Sequence, residues 1–166
     1  MKTVFLVIGF AFSAVIANAQ TFVDPVAPYQ KDSLTPTFNL ILTNGKDYSE
    51  KQLPKNKPIV FIYFSPDCGH CQVEAEHITK EMKLIDDAFY VWVSYKDMED
   101  IKAFGEKYKF SDFNNMVIGR DPAYAIPSFF RVRFTPFVAV YNKDRKLVQT
   151  FESGATVDQL KNAIKN

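Results

Sequence analysis

Cysteine is nearly absent from this chain: Cys68 and Cys71 are the only two in 166 residues. Exported proteins that depend on disulfides carry several, spread along the sequence, so a disulfide scaffold is excluded. As a structural staple, the bland alternative, a bridge between these two would contribute about 2 kcal/mol at most. Histidine is equally scarce, with His70 and His77 the only two. The chain therefore lacks the two Cys/His knuckles that a structural zinc site uses. Excess charge is missing as well: 20 basic residues face 19 acidic ones, and Lys2, one of the former, lies in an N-terminal leader. Such a balance gives no footprint for nucleic acid or an anionic membrane surface. No internal repeat, low-complexity tract or linker interrupts the sequence, so one domain is expected. Apolar residues make up 47%, with 16 Phe and 8 Tyr, enough for a core that needs no crosslink.

The leader begins Met1-Lys2, runs apolar from Val4 to Ile16, and ends Ala17-Asn18-Ala19 before polar sequence starts at Gln20. One basic residue, a short apolar core and a small-x-small end fit a secretory signal cleaved after Ala19. The apolar run is shorter than the roughly 20 residues that span a bilayer; retention as an anchor stays open. No cysteine lies near the cut, which excludes lipid modification there. The expected organisation is a signal over 1–19, an extended lead over 20–35 and a folded domain over 36–166. The expected location is the periplasm or cell envelope.

Apolar patterning orders the elements. Pro58–Phe64 and Phe89–Tyr95 are continuous β-branched and aromatic runs, as parallel strands buried on both faces are. Between them, Ala75, Ile78, Met82 and Ile85 recur at helical spacing. Asp97 can cap a second helix with Ile101, Phe104 and Tyr108 on its apolar side. A short strand near Val117-Ile118 and a short helix from Pro122 follow. Pro136–Tyr141 and Lys146–Phe151 flank a hairpin connection, and Thr156-x-x-Gln159 opens a terminal helix as a capping box. Ahead of all these, Phe38–Leu42 and Asn44-Gly45 read as a strand and tight turn. The order predicts an α/β layer fold, a mixed sheet between helices.

The cysteines fall where the first buried strand gives way to the first helix. If that helix starts just after Cys68, its unpaired N–H groups and macrodipole favour a thiolate. Cys68 is then the nucleophile, and Cys71, on the side of Ala75 and Ile78, the shielded resolving thiol. His70 can favour the thiolate further, or sit in solvent with no electronic role; His77 reads as a surface residue. Glu74, three positions after Cys71, shares a helix face with it. Desolvated, its carboxyl would have a raised pKa and could accept the Cys71 proton. Alternatively it complements the helix dipole.

The strand "IVFIYFSPD", the "CGHC" that follows, the helix after it and the later "FTPFVAVYNKD" resemble the thioredoxin superfamily. Within it, the chain is similar to exported TlpA/ResA-like thiol-disulfide oxidoreductases, whose N-terminal β-hairpin "PTFNLILTNGKDYS" resembles. The likeness spans roughly residues 36–165. It implies a three-layer thioredoxin-like sandwich with an N-terminal β-hairpin extension and a redox-active Cys68–Cys71 disulfide. It implies Pro136 as a cis-proline, with Thr135 before it binding the backbone of an extended substrate, and Glu74 as the acid of that branch. It further implies a monomer that needs no cofactor. Its partners would be protein thiols and disulfides in the envelope, with a membrane electron donor, and reduction ahead of oxidation. The residues themselves leave direction open.

Two positions depart from the superfamily pattern. Ile62 stands where thioredoxins bury an Asp, which leaves Glu74 as the proton acceptor. Asp67 replaces the usual Trp, and an anion beside Cys68 would oppose the thiolate. The reduction potential is placed only between thioredoxin-like and isomerase-like values. The competing classes are a non-catalytic exported binding module, with an apolar groove along "PSFFRVRFTPF", and a metal-binding or metallochaperone protein. The second would have only Cys68, Cys71, His70 and His77 as ligands. A peroxidase signature, Thr ahead of the reactive cysteine, is absent from "FSPDC".

Overall fold

The structure, a computed structural model, describes residues 26–165. The expected signal over 1–19 and the start of the lead lie outside the described residues.

Strands that read as near-continuous apolar runs belong in the middle of a sheet. β3 (Ile59–Tyr63) and β4 (Phe89–Ser94) occupy that place and are parallel, with Ile62 opposite Trp92. β5 (Met116–Arg120) continues the parallel set beside β4. On the other side of β3, β6 (Phe137–Tyr141) runs antiparallel and pairs with β7 (Leu147–Glu152) as a hairpin. The N-terminal hairpin, β1 (Asn39–Leu42) with β2 (Asp47–Ser49), joins antiparallel through β1 to β5. The seven-stranded order is β2-β1-β5-β4-β3-β6-β7.

The period of two along each strand divides the core. Val60, Ile62, Tyr90, Trp92, Val138 and Val140 face a layer built by α2 (Gly69–Lys80), α3 (Met98–Lys107) and α5 (Val157–Ile164). Their neighbours Phe61, Val91, Val93, Ala139 and Tyr141 face α4 (Ala125–Phe130) and the hairpin residues Leu40 and Tyr48. The crossovers β3-α2-β4 and β4-α3-β5 step the same way across the sheet. Crossovers of one hand place both helices on one face. This is the expected three-layer sandwich with its hairpin extension.

Local details depart from the expectation. α2 ends at Lys80, and a 3-10 turn over Met82–Leu84 carries Met82 and Ile85 onto the same core. Asp97 occupies the N-cap of α3 but its side chain makes no capping bond; it lies 3.9 Å from the Arg120 guanidinium. The helix expected from Pro122 starts at Ala125, where the buried Asp121 carboxylate accepts the Ile126 N–H. The lead is not simply extended: Pro28–Lys31 form one helical turn, α1, with Tyr29 against Phe130 at 5.6 Å. The capping box at Thr156 and Gln159 forms as expected. Among the described residues no helix is long and apolar enough to cross a membrane.

Candidate active site

Cys68 lies just past the carboxyl end of β3, the edge where ligands meet open α/β sheets. A tight turn, with the Cys68 N–H on the Ser65 carbonyl at 3.1 Å, makes Cys68 the N-cap of α2. Its backbone is extended, at φ −84° and ψ 118°. The sulfur is half-buried and donates to the Thr135 carbonyl at 3.4 Å. The Thr135–Pro136 peptide is cis, and Phe137 after it pairs with Tyr63. The sheet thus brings two segments distant in sequence to the same sulfur.

Both thiols are free, and their surroundings separate them. Burial pushes the Cys68 thiol up, but the Cys71 thiol and N–H, the Thr135 hydroxyl and the His70 N–H outweigh it. They hold Cys68 below the ordinary thiol value. Cys71 has no exposed surface. Burial, reinforced by the neighbouring Cys68, pushes it up to about 12, against two helpful contacts from the Ser65 N–H and the Thr135 hydroxyl. The site therefore presents one accessible, ionisable sulfur and one protonated sulfur behind it.

Glu74 is buried beyond the first turn of α2, so it does not serve as a first-turn complement to the dipole. Its carboxyl reaches the loop between β7 and α5, where the Ala155 N–H donates to both oxygens at 3.1 and 3.3 Å. Burial pushes the carboxyl up to about 7, and the Ala155 bond only partly offsets it. Gly154 touches this group closely: a Cβ there would stand 2.7 Å from Glu74 Oε2 and 3.2 Å from Pro136 Cγ. Sequence reasoning passes over Gly154, because a glycine between a strand and a capping box reads as ordinary turn punctuation.

Other expected participants stand further back. The His70 imidazole is exposed without a hydrogen-bond partner among the described residues; only its backbone N–H serves the sulfur. His77 is exposed. Asp67 does not face Cys68 as a bare anion. Its carboxylate accepts from the Ser65 hydroxyl and pairs with Lys96 at 3.1 Å, and these hold it below the usual carboxylate range. Ile62 is buried among Trp92 and Val138. Of the "PSFFRVRFTPF" aromatics, Phe130 and Phe137 belong to the core, while Phe134, next to Thr135, is 60% exposed. Arg131 and Arg133 are exposed. Among the described residues no three His, Cys, Asp or Glu side chains converge as a metal site.

A family profile described as Redoxin matches residues 30–164. Comparison with curated protein sequences gives no match. Among solved structures, a secreted Mycobacterium tuberculosis disulfide oxidoreductase homologous to Escherichia coli DsbE shares 19% identity at a TM-score of 0.64. That match covers 77% of this chain and 94% of the other. The exposed lipoprotein thioredoxin of Streptococcus pneumoniae shares 24% at 0.58, over 78% and 98%. Peroxidoxin BcpB of Mycobacterium tuberculosis shares 19% at 0.67, over 80% and 94%. At these identities the likeness establishes the thioredoxin fold.

Proposed function

This chain belongs to the Redoxin family, and from that membership we propose a thiol-disulfide oxidoreductase of the cell envelope that acts chiefly as a reductase of protein disulfides. The observation that carries the proposal is the contrast between Cys68, held below the ordinary thiol value at the start of α2, and Cys71, buried and pushed up to about 12.

The reaction follows from that contrast. The Cys68 thiolate attacks one sulfur of a substrate disulfide; the Cys68–substrate bond forms and the other substrate sulfur leaves as a thiolate. Once Cys68 is bonded, its anion no longer raises Cys71, which leaves burial as the main obstacle to ionisation. Glu74 carboxylate accepts the Cys71 proton. The new thiolate attacks Cys68, closes the Cys68–Cys71 disulfide and expels the second substrate thiolate. Two electrons pass to the substrate, and a dithiol donor at the membrane returns them. Thr135 and Pro136 receive the extended backbone around the substrate disulfide, and His70 acts through its N–H.

The basic start, short apolar run and Ala17-Asn18-Ala19 end of the leader support export to the envelope, as do the relatives described as secreted and as an exposed lipoprotein. We assign residues 36–166 as the catalytic domain and the monomer as the working unit. Peroxide reduction is not proposed, since "FSPDC" has no Thr ahead of Cys68.

Replacing the resolving thiol tests the reading. Cys71→Ser should accumulate mixed disulfides with envelope proteins, all lost when Cys68 is also changed to Ser. An empty trap would reject exchange with proteins and leave a binding module. Thiol alkylation of the native protein in cells reads direction: a reduced pair fits a reductase, a fully oxidised pair a disulfide donor.

A further inference from the structure

Glu74 is buried, and among the described residues no cation pairs with it. A buried carboxyl without a counter-charge is held only by the donors and surfaces that touch it. Here these are few. The single N–H of Ala155 serves both oxygens, and the space around Oε2 is closed by the backbone of Gly154, whose missing Cβ would also press on the Pro136 ring. Gly154 stands at φ +98°, a conformation that side chains other than glycine's adopt only with strain. Immediately after this loop the chain is pinned by the Thr156 capping box, with reciprocal bonds of 3.2 and 2.8 Å. The loop is therefore a fixed wall, and glycine is what allows the wall to stand this near the acid.

We propose that Gly154 and the Ala155 N–H form a positioning element that seats the Glu74 carboxyl against the Pro136 side of the site, so that resolution by Cys71 depends on a residue remote in sequence from the cysteines. The inference rests on the reading of Glu74 as proton acceptor. Gly154 itself carries no group that exchanges a proton or a disulfide; it acts through Glu74.

An aromatic disulfide such as 5,5′-dithiobis(2-nitrobenzoate) separates the steps on the full chain. Attack by Cys68 releases a first aromatic thiolate; closure of the Cys68–Cys71 bond releases a second. We expect Gly154→Ala to slow the second phase about ten-fold or more while the first keeps its rate, and to abolish the inflection near pH 7 in the second phase. Adding Gly154→Ala to Glu74→Gln should slow resolution no further. Equal slowing of both phases, an unchanged inflection, or a further loss in the double variant would overturn the proposal.

Should Gly154→Ala fail to fold, nuclear magnetic resonance on the unaltered chain decides. The Ala155 amide proton and the Glu74 carboxyl carbon should titrate with one midpoint near 7. An Ala155 amide that shows no inflection there would sink the assignment. A native chain with no second phase would instead overturn the proposed exchange reaction, while these titrations would still report the contact.

Discussion

At the scale of single residues, burial makes one carboxyl of the site costly to ionise. Glu74 folds with its carboxyl up at about 7 against an ordinary value of 4.5. Between those values the native state binds the proton more readily than the unfolded chain, so stability falls as pH rises. The loss begins above pH 4.5 and is complete once pH passes about 7. At about 1.4 kcal/mol per unit it amounts to roughly 3 kcal/mol. We expect denaturant midpoints of the native protein to decline across that window, and those of Glu74→Gln to stay flat. A native profile as flat as the variant's would contradict the burial argument. Cys68 gives a second expectation. With Lys96 gone, Asp67 beside Cys68 loses its cation. Lys96→Ala should therefore slow alkylation of Cys68 near pH 7 by about two- to three-fold, a modest effect because exposed pairs are weak and screened. The cysteines and Glu74 stand out from their spacing alone. Gly154 and the Lys96 partner of Asp67 do not, because each depends on what another segment brings to that spot.

At the scale of elements, positions along the chain become chemistry through the ends of strands and helices. β3 delivers Cys68 to the start of α2, β6 delivers Thr135, and the turn into α5 delivers Ala155. Thr156 secures the last of these by accepting the Gln159 N–H at 3.2 Å. Thr156→Ala should cost about 1 kcal/mol in chemical denaturation and should also slow resolution by Cys71, since the cap anchors the loop that holds Glu74. A stability loss with unchanged resolution would separate the cap from the site. The buried strands and the capping box were legible because period and cap chemistry are local. The early stop of α2 at Lys80 was not, since Met82 and Ile85 keep a helical spacing while reaching the core from a 3-10 turn.

At the scale of the whole molecule, the boundary expected at residue 36 meets a lead that packs on the domain. Tyr29 lies on Phe130, the Leu147 N–H donates to the Ser33 carbonyl at 2.8 Å, and Leu34 bridges to Lys146. The Redoxin match likewise begins at residue 30. A chain starting at residue 36 should thus be less stable than one starting at residue 20, by about 1–3 kcal/mol for a lost aromatic contact and backbone bonds. Equal thermal midpoints would mean that the lead is an ornament of the fold. The thiol chemistry should survive the truncation, because none of these contacts reaches Cys68.

Periodicity, capping signals and the two cysteines were enough by themselves to determine a mixed sheet between helices with a cysteine pair at a strand-to-helix junction. These are properties of neighbours in the chain, and local sterics and hydrogen bonding write them into short windows. Which groups surround the pair was decided only by tertiary structure. The Thr135 carbonyl at Cys68, the Ala155 N–H at Glu74 and the bare backbone of Gly154 between that acid and Pro136 come from segments that only the closing of the sheet brings together. The pKa of a buried group is set by desolvation and by the few donors within reach, and both are properties of the packed interior.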